Sequence, residues 1–143
     1  MITPDANIIL YAYNEDAPKH RQAKEWLEEQ FSLPQIFGLS WQVITAFLRI
    51  STNPKAFPHP FNLQEATEIV DEWLTLPNVT ILTPTANHWT IFQKLINEGQ
   101  TKAALMMDAH LAAVTIEHNA TLATTDSDFQ KFSGLQTINP LTS

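Results

Sequence analysis

The chain has 143 residues, 44% hydrophobic and 16% charged, with no cysteine and a formal net charge of −7. This composition suits a single globular domain over residues 1–143 and argues against disorder, which needs low hydrophobicity with high charge. Without cysteine there is neither a disulfide framework nor a thiolate metal site, and eight Lys and Arg are few for sequence-specific DNA binding.

A short apolar start at Met1–Ile2 runs to Asp5, and Asn7 then precedes IILYAY, which can open a helix. From Pro18, the residues Ala23, Trp26, Leu27 and Phe31 recur at helical spacing. Pro34–Leu39 reads as a second strand, and Val43, Ile44, Phe47, Leu48 and Ser51 mark a helix opening near Ser40. The proline-rich stretch Asn53–Pro60 is loop. Asn62 with Glu65 forms a capping-box pattern before a helix whose face is Ala66, Ile69, Val70, Trp73 and Leu74. Pro77–Asn78 turns into a strand, Val79–Leu82, and Thr85 can cap a helix with Trp89, Phe92, Leu95 and Ile96 on one face and Gly99 at its end. Asp108, Leu111, Ala112 and Thr115 share a face of the next helix. Thr121–Thr124 is a strand, Asp126 and Asp128 follow it, and Leu135–Ile138 is the last strand.

Strands alternating with helices predict an α/β domain with a central parallel sheet covered on both faces. No apolar run approaches the roughly 20 residues of a membrane span. The N-terminus lacks the basic and small-residue signature of a signal peptide, so a cytoplasmic protein is expected.

Sites in open α/β sheets form beyond the carboxyl ends of the strands. Asp5 closes the first strand and Asp126 follows the strand at Thr121–Thr124, so both lie at that edge. Asp108 starts a helix that runs back toward the opposite edge. About ten helical residues cover roughly 15 Å, and the returning strand recovers roughly 13 Å. Asp108 is thus expected level with Asp126. Carboxylates held together raise one another's pKa unless a cation neutralises them, and an oxygen-only donor set suits Mg²⁺ or, as substitute, Mn²⁺. Such an ion lowers the pKa of a water and polarises a phosphodiester. It would also turn the local field toward attracting phosphate, since Asp5, Asp108, Asp126 and Asp128 carry four of the seven excess charges. Singly, each aspartate has a plainer reading: a cap, a dipole partner or a turn. Asn7 can steer Asp5 or cap the helix.

Asp5-x-Asn7, Asp108-Ala109-His110-Leu111-Ala112-Ala113 and Thr124-x-Asp126-x-Asp128-Phe129 resemble the PIN domain, most closely the VapC-type ribonuclease toxins of prokaryotic toxin–antitoxin pairs. The segment Trp41…Ala46-Phe47-x-Arg49-Ile50-x-Thr52-x-Pro54, with Ala56-Phe57-Pro58, is similar to one VapC subgroup. The resemblance implies a PIN fold, Mg²⁺-dependent endoribonuclease activity on RNA, a homodimer, and silencing by a cognate antitoxin lying across the groove. It makes Asp5 and Asp108 the principal metal ligands and catalytic acids, has Asp126 complete the cluster, and leaves Asn7 and Asp128 supporting them. PIN domains usually carry a fourth acid in the helix after the second strand. Ala46 stands there, which favours one ion over two.

Arg49, one turn after Ala46, is weighed as an RNA phosphate contact or a surface arginine. Lys55 and His59 lie in the proline-rich loop, where solvated roles suffice. His110 is rotated about 200° from Asp108 and reads as packing or a dimer contact. Trp26, Trp41, Trp73 and Trp89 read as core or interface residues more than base-stacking ones. Two competing readings stay open: a non-catalytic PIN scaffold binding RNA or protein, motivated by Ala46, and another Asp/Mg²⁺ enzyme such as a phosphatase or phospho-receiver. The second lacks its motifs, since position 7 is Asn where a dehalogenase-type nucleophile site needs Asp.

Overall fold

A computed structural model describes residues 1–99 and 101–141. Five parallel strands form one sheet: β1 (Ile2–Pro4), β2 (Phe37–Ser40), β3 (Val79–Leu82), β4 (Thr121–Ala123) and β5 (Gln136–Ile138), in spatial order β3-β2-β1-β4-β5. Six helices connect them: α1 (Ala6–Tyr13), α2 (His20–Ser32), α3 (Trp41–Ser51), α4 (Leu63–Thr75), α5 (His88–Glu98) and α6 (Met106–Glu117). The order runs outward from β1 through β2 to β3, then jumps back across β1 to β4. Right-handed crossovers in opposite directions put helices on opposite faces, so the β1–β4 boundary is the switch point where α/β sites form. In keeping with this, α1 packs on α2 and α3, α4 packs on α3, and α5 pairs with α6.

Register carries the carboxyl ends to one level. Ile2 pairs with both Phe37 and Thr121, and Pro4 pairs with Ala123. Asp5 therefore leaves the sheet between Ser40 and Thr124, and its N–H donates to the Ala123 carbonyl at 2.8 Å. Gly38 in β2 has no room for a side chain, because a Cβ there would lie 2.6 Å from Leu82 Cδ1. Thr3, fully buried, donates its hydroxyl to the Gly38 carbonyl at 2.7 Å and ties β1 to β2 below the site.

The core under α1, α3 and α4 is aromatic. Phe47 is fully buried, its ring centroid 4.8 Å from Trp73 and 5.3 Å from Tyr13, and Trp73 Nε1 donates to the Tyr13 hydroxyl at 2.9 Å. Removing a ring packed this way costs about 3–5 kcal/mol.

Several boundaries differ from expectation. Residues 34–36 precede the second strand, which begins at Phe37. The cap of α3 at Ser40 and the Asn62–Glu65 capping box of α4 both form. Thr85 does not cap α5. Asn87 holds that position, and Thr85 instead gives its N–H and hydroxyl to Glu117, each at 2.7 Å. A 3₁₀ turn over Ala103–Leu105 precedes α6, so Asp108 sits within the first turn and not at its start. Trp73 is buried and Trp26 packs on the core, but Trp41 and Trp89 are 53% and 63% exposed, so the core reading fails for those two.

Candidate active site

Asp5 occupies the N-cap position of α1, yet its side chain makes no capping hydrogen bond. Its Oδ2 accepts from the Thr124 hydroxyl at 2.9 Å. That hydroxyl in turn accepts the Asp126 N–H at 3.0 Å, and Asp126 Oδ1 accepts the Asp128 N–H at 2.9 Å. Thr124, almost fully buried, thus links Asp5 to Asp126 through a hydroxyl that can both donate and accept. The Asp126–Asp128 contact caps a 3₁₀ helix over Ser127–Lys131. This gives the Thr124-x-Asp126-x-Asp128 spacing a local cause: each residue fixes the next by a side-chain-to-backbone turn.

Burial pushes the Asp5 carboxyl above its ordinary range. The Thr124 hydroxyl and the Ala6 amide counter that, the Asp126 charge adds to it, and the Asn7 amide counters slightly. Asn7 acts only through its backbone. Its side chain is exposed, and no side-chain hydrogen bond from it reaches Asp5 among the described residues.

Asp108 enters from α6. Burial first, then the charges of Asp5, Asp126 and Asp128, raise its carboxyl to about 6, with Lys131 opposing. A carboxylate in the first turn of a helix is ordinarily favoured by the dipole, so burial and three negative neighbours outweigh that effect here. Four acidic residues from three parts of the chain therefore share one electrostatic environment. Among the described residues, no three His, Asp or Glu side chains close around a common point as a metal cage. The site is an open cluster of oxygen donors. That suits Mg²⁺, which keeps several waters and takes only one or two protein carboxylates with substrate oxygens.

Arg49 is not among the charges that act on Asp108. It lies in the last turn of α3, about 13 Å along the axis from Ser40 at the sheet edge, and it is exposed. The cation that Asp108 senses is Lys131, in the 3₁₀ helix after Asp128 and 5.9 Å from the Phe132 ring centroid. Sequence reasoning overlooked Lys131. Its only signal was a lysine three residues past the acidic motif, on an element too short to show periodicity. Ala46 is half-buried in α3 and offers no oxygen.

His110 packs as expected: its ring meets Phe92 edge-on at 5.7 Å and its Nδ1 lies 2.8 Å from Gln42 Oε1. No helix among the described residues is long and apolar enough to cross a membrane.

Comparison with known proteins agrees with this fold. The PIN domain family model matches residues 2–135. Ribonuclease VapC37 of Mycobacterium tuberculosis is 35% identical over 136 residues, covering 95% of this chain and 94% of that protein. Ribonuclease VapC33 of the same species is 36% identical over 141 residues, covering 99% of each. The crystal structure of VapBC2 from Rickettsia felis, bound to a DNA fragment from its promoter, superposes with a TM-score of 0.69 at 20% identity. That match covers 97% of this chain and 98% of the other.

Proposed function

The chain belongs to the PIN domain family, in its VapC ribonuclease branch, and from that premise we propose that it is a divalent-metal-dependent endoribonuclease, the toxin of a toxin–antitoxin pair. One observation carries the reading: Asp108, from a different helix, is raised to about 6 partly by the charges of Asp5, Asp126 and Asp128. Repelling carboxylates at a switch point cost stability unless a cation offsets them.

Asp5 and Asp108 are the ligands we assign first to Mg²⁺, with Mn²⁺ as substitute, and Asp126 completes the set. When bound, the ion supplies Lewis acidity for a phosphodiester and a lowered water pKa. Thr124 holds one Asp5 oxygen in place. Asp128 steadies Asp126 through its backbone N–H, and the Lys131 ammonium offers the cluster's one sensed positive charge to an RNA phosphate. We assign residues 1–143 to one PIN unit. Its partners are RNA, a cognate antitoxin and a second copy of the chain, and the exposed Trp41, Trp89 and Met107 supply apolar surface for that dimer. Its excess of fifteen acidic over eight basic residues leaves little for sequence-specific DNA contact by this chain itself.

Purified free of antitoxin, the chain is expected to cleave RNA with Mg²⁺ or Mn²⁺ and to stop in EDTA. Asp5→Asn and Asp108→Asn should each lose about 100-fold or more in rate. Equal cleavage by wild type and both variants would overturn the residue assignment. The scaffold reading, favoured by Ala46 and by the absence of a closed three-group cage among the described residues, expects no cleavage under any of these conditions.

A further inference from the structure

Gln42, the second residue of α3, makes a two-point contact with the first turn of α6. Its Nε2 donates to the Met107 carbonyl at 2.9 Å, and its Oε1 lies 2.8 Å from His110 Nδ1. Chemistry fixes which way the amide faces. A carbonyl only accepts, so the NH₂ must face Met107, and the oxygen is left for His110. His110 Nδ1 then carries the hydrogen and donates it.

His110 is itself braced. Its ring lies 4.8 Å from that of His88, edge to face, and His88 Nδ1 bonds Glu117, whose side chain is fully buried. Met107 and His110 bracket Asp108. The first turn of α6 has no side-chain cap of its own at Leu105. Gln42, in contrast, follows Ser40, which ends β2 beside Asp5 and caps α3 by accepting the Val43 N–H at 3.2 Å. One amide therefore connects the strand edge beside Asp5 to the turn that carries Asp108, across 65 residues of sequence.

We propose that Gln42 is a positioning residue, which clamps the first turn of α6 to the β2–α3 edge and so sets where Asp108 stands relative to Asp5. Its consequence for catalysis rests on the ribonuclease reading; the clamp itself does not.

The test is Gln42→Met, close in length and helix propensity but unable to replace the amide's bonds. In metal-free protein, amide hydrogen exchange at residues 106–110 should accelerate about tenfold or more while the strands keep their protection. Calorimetric Mn²⁺ affinity should fall about tenfold, the low end for residues supporting metal ligands. The kcat should fall with it while KM stays within about twofold. His110→Ala should give a smaller loss, and the double variant should be no worse than Gln42→Met, because both act through one contact. Unchanged exchange at 106–110 in Gln42→Met overturns the clamp, and so do additive losses in the double variant. A wild-type chain that neither binds Mn²⁺ nor cleaves RNA overturns the ribonuclease reading instead, and the exchange measurement still decides for or against Gln42.

Discussion

Asp108 is pulled two ways: the first turn of α6 favours its charged form, while burial and the charges of Asp5, Asp126 and Asp128 oppose it and prevail. Its carboxyl moves from an ordinary 3.8 to about 6. Between those values the folded chain keeps a proton that the unfolded chain has released, so the stability this group contributes is complete below about pH 4 and is lost as pH rises through about 6. Without metal, Asp108→Asn should therefore melt higher than wild type at pH 7.5, by a few degrees if the relief is on the order of 1 kcal/mol. Near pH 4 the two should converge. Scanning calorimetry across that range checks the sign, and a variant that melts lower at pH 7.5 would contradict it. Thr124 makes a second residue-level case. Thr124→Val keeps the shape but removes the hydroxyl shared by Asp5 and Asp126, at a cost of about 1–3 kcal/mol for the stranded partners. Cleavage should fall about 10- to 100-fold, as when a metal ligand loses its supporting partner; full activity in the Thr124→Val enzyme would refute the linking role.

At the scale of elements, local chemistry told most where one residue decides one bond. Ser40 and Asn62 cap their helices as their sequence context implies, because a hydroxyl or amide three residues before an N–H needs nothing distant to form that bond. Thr85 misled for the same reason in reverse: its hydroxyl had a better partner in Glu117, 32 residues away. Helix α6 was readable as a helix, and Leu111, Ala112 and Thr115 of its expected face are buried, although Ala109, Ala113 and Val114 are buried as well and blur any polar stripe. The contact between Gln42 and Met107 had no local trace at all. The close packing of β2 against β3 is equally long-range. Gly38→Ala would drive a methyl into Leu82, itself only 2% exposed and unable to yield freely, and should cost about 1–3 kcal/mol. Adding Leu82→Ala should recover part of that loss in denaturant unfolding; strictly additive losses would show that the clash is not the cause.

Over the whole molecule, the chain order of the strands does most to assemble the site. Alternating strands and helices implied a parallel sheet, and β3-β2-β1-β4-β5 is the order that puts the ends of β1 and β4 side by side, with Asp5 and Asp126 upon them. Level-matching by helix and strand length correctly brought Asp108 within reach of both charges. It did not reveal that Lys131 is the cation Asp108 senses. The net charge of −7 makes this consequential: on the proposed reading, phosphate attraction would depend on a bound ion and few lysines, not on a basic surface. Calorimetric titration of Mn²⁺ at pH 7.5 into wild type and Asp108→Asn probes that dependence most directly. Saturable binding near one ion per chain, abolished or weakened at least about tenfold in Asp108→Asn, is the expected result. Equal binding by both proteins, or none by wild type, would contradict a metal site built on Asp5, Asp108 and Asp126.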